Sequence, residues 1–338
     1  MPTKRPIDLF RESGGSFKIE SETDNTPIKM MCNVGDNLLV VTSNAIYEIQ
    51  LADQIDPGRE NPRLPHNIQR CVLNIGADSA IVGCTLLTAN VLFNNTMLAD
   101  SIDTEKAKAL TFEALKELAA MKSMAEEFTA EEENKTSAFL KHEQKNRSLA
   151  LPSIIDLESR AKSFFQKADH VQQALFELIS LFYSSILTKG HFETLVTKIS
   201  LQYSNDDNFI KFLNTIAPHM KILRNLRDCL DHRLYQQVKV NNFNITKKGD
   251  MAPPSIKMDR PKRNVFLEET WLSDFMSTTV ENLANITEMI IAFLCAKNTK
   301  CFIGAEIAVG VTHEGKRIHP NIKFGYFTNR LGSWMPIG

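Results

Sequence analysis

The segment Leu223-Arg224-Asn225-Leu226-Arg227-Asp228-Cys229-Leu230-Asp231-His232-Arg233 gathers the side chains in this chain best suited to chemistry. At about 100° per residue, Leu223, Leu226, Leu230 and Leu234 fall on one helical stripe and define a buried face. Arg224, Arg227, Asp228, Asp231, His232 and Tyr235 then share the other side. Asp228 and His232 lie one turn apart, where a carboxylate can orient an imidazole and favour its protonated form. Arg224 and Asp228 repeat that spacing.

Cleavage of RNA without a metal needs a group to take a proton from the 2'-hydroxyl or give one to the departing 5'-oxygen, and a cation to hold the charged phosphorane oxygens. His232 and Arg227 supply these two types. A guanidinium suits the second task because it stays charged and can grip two phosphate oxygens, while Asp228 fits an orienting role better than that of a base facing a polyanion. One imidazole is short of a full acid and base pair. A two-fold dimer with facing helices would bring a second. Solvated ion pairs within a single helix explain the same residues without any function, each stabilising by roughly 0.2–0.5 kcal/mol.

These groups need a scaffold, and the sequence reads as mainly α. Residues Glu105 to about Lys145 are rich in strong helix formers and predict a long connecting helix. Apolar residues recur at three and four spacing from Leu151-Pro152-Ser153 through about Leu187. Lys189-Gly190 ends that helix, His191 to Leu201 forms a shorter one, and Asn205-Asp206-Asp207 can cap the helix from Asn208 to about Tyr235. The β-branched run Gln237–Ile245 with the turn at Lys247-Lys248-Gly249-Asp250 predicts a hairpin, and helical spacing returns from Phe266 to Leu294. Toward the N-terminus, Asn33–Ala52 is either helix or a strand pair. The proline loop at 56–65 precedes a helix from His66, and Ser79–Leu98 reads as a buried helix. Cys301–Val311 reads as a strand before an aromatic tail ending at Gly338. The expectation is an up-and-down helical bundle with a small β-hairpin insertion over 150–300, preceded by a mostly helical domain over 1–149 and followed by a short tail over 301–338.

The chain has 338 residues, 43% of them hydrophobic, with 39 Lys plus Arg against 40 Asp plus Glu. That composition folds without staples and provides no overall field for nucleic acid or anionic lipid, so any such binding is local. The six cysteines are scattered with no CxxC pair, which fits reduced thiols and argues against a zinc site. The start lacks the apolar stretch of a signal peptide, and the apolar segments near Ile75–Val91 and Ile286–Ala296 are too short to span a bilayer. A cytoplasmic protein with no membrane partner is expected.

The run Arg227-Asp228-Cys229-Leu230-Asp231-His232, late in a bundle helix, resembles the signature of the HEPN superfamily, in which Arg is followed after four to six residues by His, often with Asn or Asp directly after the Arg. The resemblance spans roughly residues 150–298. It implies a metal-independent endoribonuclease that leaves a 2',3'-cyclic phosphate, needs no cofactor, and acts as a homodimer through its motif helices. Members occur in bacterial toxin-antitoxin, abortive-infection and other antiphage systems, so an antitoxin or another defence protein is an implied partner. The roles carried over are Arg227 as phosphate-binding cation, Asp228 as orienting residue, His232 as general acid or base and Arg224 as auxiliary. Some members bind without cutting, which leaves a non-catalytic RNA-binding or protein-interaction module as the alternative.

Lys247, Lys248, Lys257, Arg260, Lys262 and Arg263, set against Asp250 and Asp259, offer a rim for an RNA backbone or else an exposed polar loop. His313 and His319 flank Glu314 without the HExxH spacing of a zinc site. His170 and Glu177 sit where a long helix could face the motif helix. No phosphate-loop or dinucleotide fingerprint occurs.

Overall fold

The computed structural model describes residues 4–13, 18–19, 26–35, 37–141, 148–187, 190–300, 305–330 and 333–337. Cys301, Lys189 and Gly338, used above to mark a strand start, a helix end and the tail, lie outside them. The chain forms two compact units, one of residues 1–112 with 300–338 and the other of residues 113–299.

The first unit opens with the short helix α1 (Pro6–Glu12) and a four-stranded antiparallel sheet, β1 (Ile28–Val34), β2 (Asn37–Thr42), β3 (Ile46–Leu51) and β4 (Asn67–Leu73), in the order β1-β2-β3-β4. A single-turn helix α2 (Ala52–Ile55) follows β3. The sheet settles the ambiguous region 33–52 as strands. It also corrects the helix expected from His66, because Asn67–Leu73 pairs along β3 from Ile46↔Leu73 to Leu51↔Asn67. At the sheet edge, the backbone groups that face β3 are satisfied by that ladder, which outweighs weak helical spacing. Val40, Ala45, Tyr47 and Ile49 pack together with Ile19. Two helical segments, α3 (Ala80–Val82) and α4 (Thr88–Leu92), are joined by a π-turn over Gly83–Leu87, with Thr85 Oγ1 and Thr88 Oγ1 donating back to the carbonyls of Ile81 and Gly83 at 2.6 and 2.7 Å.

Gly76 lies against the β2–β3 turn. A Cβ added there would fall 2.5 Å from the backbone nitrogens of both Asn44 and Ala45. Backbone cannot step aside, so Gly76→Ala is expected to destabilise by about 1–3 kcal/mol. The check is a lowered denaturant midpoint with an unchanged slope.

The 37-residue helix α5 (Thr104–Leu140) matches the long helix expected from composition. The second unit then builds α6 (Leu157–Phe182), α7 (Phe192–Ile199) and α8 (Asn208–Asp231), followed by strands and α9 (Leu272–Lys297). Phe164, Phe165, Leu175, Leu178, Leu213, Leu223, Leu226, Leu283, Ile290 and Leu294 are all fully buried in its core. Between α8 and α9 lie β5 (Val238–Asn241), β6 (Asn244–Ile245), β7 (Met251–Ala252), β8 (Ser255–Arg260) and β9 (Val265–Trp271). They form a three-stranded sheet ordered β5-β8-β9 and a separate β6–β7 hairpin. Residues 266–271 are therefore strand, where helix was expected. The β-branched and aromatic run Val265-Phe266…Thr270-Trp271 favours the extended form, and β8 offers it a ladder. By length and composition α9 is apolar enough to cross a membrane, longer than the 286–296 stretch judged too short above; 67% of its most apolar window is buried inside the fold.

The first unit is completed by an antiparallel sheet of β10 (Glu306–Val311), β11 (Phe324–Arg330) and β12 (Ser333–Pro336). The aromatic tail is thus sheet, and Tyr326, 4% exposed, donates its hydroxyl to the Leu92 carbonyl at 2.6 Å. Helix takes up 49% of the chain and strand 21%, distributed over four sheets among the described residues. The protein is mixed α/β, and this overturns the expected mainly α architecture with a single hairpin insertion. Among the described residues, seven of the twelve strands, β1–β4 and β10–β12, lie in the first unit. There the alternation is short and interrupted by polar residues, and each strand is completed by its antiparallel neighbour in sequence.

Candidate functional site

Helix α8 positions the motif. Asp207 caps its start, its carboxylate accepting from the Phe209 N–H at 2.8 Å, and the helix then runs to Asp231. It stops short of Tyr235 because Arg233 adopts the left-handed conformation, φ +53°, and the Leu234 N–H donates to the Cys229 carbonyl at 2.8 Å. That is a Schellman ending, formed here on a non-glycine residue. Leu223, Leu226 and Leu230 are buried, as the stripe required, and Leu234 is half-buried.

The termination decides the fate of His232. As the C-cap residue it leaves the helical repeat, its ring is exposed, and among the described residues its side chain makes no hydrogen bond. The expected Asp228–His232 side-chain pair is therefore not formed; only the His232 backbone N–H reaches Asp228, donating to its carbonyl at 3.0 Å. The Asp228 carboxylate is surrounded instead by guanidinium groups, with Arg227 Nη1 at 3.4 Å, Arg263 Nη1 at 3.5 Å and Arg260 Nη1 at 3.9 Å.

Arg227 is equally encircled by carboxylates. Its Nε lies 2.9 Å from Asp231 Oδ2 and 3.7 Å from Asp169 Oδ2 on α6, in addition to Asp228. Asp231 also accepts from Gln166 Nε2 at 2.8 Å and lies 3.3 Å from Lys162 Nζ. Burial alone would push the Asp231 carboxyl up, but these donors and Arg227 together hold it below its ordinary range. The positive charge of Arg227 is thus largely compensated, whereas the Arg263 side chain remains 53% exposed.

The six basic residues expected to form a rim are not equivalent. Lys247, Lys248, Lys262 and Arg263 are exposed, and Lys257 is half-buried with its Nζ 4.0 Å from Glu269. Arg260 is 8% exposed and donates to Asn225 Oδ1 at 2.6 Å and to Gln237 Oε1 at 2.9 Å. A guanidinium so placed ties α8 to β8 and offers nothing to a backbone outside. Arg224, one turn before Asp228, points the other way and donates to His191 Nε2 at 2.7 Å.

His191, Gln172 and Asp169 were not singled out from the sequence. The signal available was Gly190-His191 at a helix start, together with Asp169 and Gln172, polar residues on the buried face of the amphipathic α6. His170 turns to Glu117 on α5, Nδ1 to Oε1 3.5 Å, away from the motif. His313 and His319 accept from the backbone N–H groups of Gly315 and Asn321, each at 3.3 Å, as local turn caps. Among the described residues no group of three or more His, Cys, Asp or Glu side chains is placed to hold a metal ion.

Comparison with known proteins finds no matching family model, no matching curated protein and no matching solved structure.

Proposed function

We propose that the second unit acts on RNA as a metal-independent endoribonuclease, with His232 as general acid or base and Arg263 joining Arg227 in meeting the phosphate charge. The observation that carries this reading is an exposed imidazole with no side-chain hydrogen bond among the described residues, one turn beyond a carboxylate on which an exposed guanidinium also rests. Imidazole and guanidinium are the two groups a 2'-hydroxyl attack on phosphorus requires. Asp228 positions Arg263 rather than His232. A homodimer with facing α8 ends supplies the second imidazole. The resemblance to the HEPN superfamily supports the same reaction, with toxin-antitoxin or antiphage defence as its setting.

The three carboxylates around Arg227 favour a second reading, a non-catalytic RNA-binding or protein-interaction module. Product analysis distinguishes the two. Purified full-length protein in EDTA is expected to cut unstructured RNA and leave 2',3'-cyclic phosphate ends. Salt-dependent binding with intact RNA selects the module instead.

A further inference from the structure

We infer that the second unit carries a separate site, formed by Gln172, Arg224 and the amino end of α7, that takes the phosphate group of a small molecule of mononucleotide size. The inference does not depend on whether RNA is cleaved. These residues line a pocket of about 300 Å³, at the small end of the range for ligand sites.

Gln172 provides the first argument. It is 6% exposed, and its amide Nε2 is buried with no hydrogen-bond partner among the described residues. An orphaned buried donor costs about 1–3 kcal/mol, which an acceptor in the pocket would recover. The second argument is α7, an eight-residue helix whose first turn has no side-chain cap, so its free N–H groups and the positive end of its dipole are available to an anion. Gly190, with φ +153°, lines the same wall; few other residues take that conformation at the turn into α7.

Arg224 provides the third. A guanidinium only donates, so the 2.7 Å contact makes His191 Nε2 the acceptor and places the neutral ring's proton on Nδ1. Burial first, and Arg224 second, push the His191 imidazole below its ordinary range, which agrees with this assignment. Arg224, the Gln172 amide, the first turn of α7 and His191 Nδ1 are all donors on residues that line this one pocket, and a donor lining selects an acceptor-only group such as phosphate. Three carboxylates oppose an anion here. Asp169 is engaged by Gln173 Nε2 at 2.8 Å and by Arg227, Glu193 in the first turn of α7 lies 3.6 Å from Lys221 Nζ, and Glu177 is exposed. The pocket exceeds a bare phosphate, and Phe176 and Phe192 give it an apolar wall against which a base can lie.

The test is calorimetric titration of the full chain with inorganic phosphate and with adenosine monophosphate, no RNA being present. Saturable binding of both is expected, tighter for the nucleotide. Arg224→Gln should weaken it by about tenfold or more, and the volume-conserving Gln172→Met by a smaller but measurable factor. A measurement on the unaltered chain guards against variants that fold poorly: added nucleotide should slow amide exchange at Phe192, Glu193 and Thr194. Absence of saturable binding at millimolar ligand, binding unchanged in both folded variants, or binding without protection of those amides overturns the proposal. Loss of RNA cleavage has no bearing on any of these readouts.

Discussion

Replacing His232 with alanine is expected to lower the rate of RNA cleavage by about 10²–10⁴-fold, the usual contribution of a general acid or base, while leaving the fold intact. The second half of that expectation follows from its position. The ring is exposed and makes no side-chain hydrogen bond among the described residues, so its removal opens no cavity and leaves no partner unpaired. Circular dichroism and the unfolding midpoint should match those of the parent. Arg263→Ala should also impair cleavage with little loss of stability, because its pair with Asp228 is largely solvated. Arg227→Ala should behave differently: it removes the one cation that, among the described residues, touches Asp169, Asp228 and Asp231 together, so stability falls along with activity. Cutting undiminished in the His232 variant would remove this residue from the reaction and leave the binding module as the surviving reading.

Helical periodicity placed the motif well and its surroundings poorly, for reasons visible in single residues. The stripe Leu223, Leu226, Leu230 is dictated by a 3.6-residue repeat and is buried, and Asp207 caps α8 through local geometry that a sequence displays. The end of α8 was not legible. A Schellman ending usually advertises itself with glycine, and here Arg233 occupies the left-handed position, so the helix seemed to continue to Tyr235. Four residues of difference there move His232 from a helical face to a cap and dissolve its pair with Asp228. The guanidinium groups that replaced it come from residues 260 and 263, 32 and 35 positions beyond Asp228, delivered by a β8–β9 connection whose strands exist only because they pair with each other. In the first unit the region of β2 and β3 was open between helix and strand and β10 was expected as a strand, whereas β4 was expected as helix. β4 alternates in burial only weakly, and β3 completes it.

That delivery depends on one buried cation, and Arg260→Ala is expected to cost about 2–4 kcal/mol. Arg260 fills the junction between α8 and β8 at 8% exposure, donating to Asn225 Oδ1 and Gln237 Oε1. Truncation strands both acceptors, and an unpaired buried polar group costs about 1–3 kcal/mol. The loss of its 3.9 Å pair with Asp228 adds less, because Arg227 and Arg263 remain on that carboxylate. Asn225 is 4% exposed, spends its Nδ2 on the Lys221 carbonyl at 2.8 Å, and among the described residues its Oδ1 accepts from Arg260 alone. Denaturant unfolding of Arg260→Ala, Asn225→Leu and the double variant measures the coupling directly. The two single losses should sum to more than the double, by about 1 kcal/mol or more, since either change alone already breaks the shared bond. Equal and small losses for Arg260→Ala and Arg263→Ala would show that β8 is held without this guanidinium. If the coupling is found, the same variant should weaken any cleavage more than it weakens binding of phosphate at α7, because β8 leads into the turn that sets Arg263 on Asp228, whereas Arg224 pairs with His191 and not with Arg260.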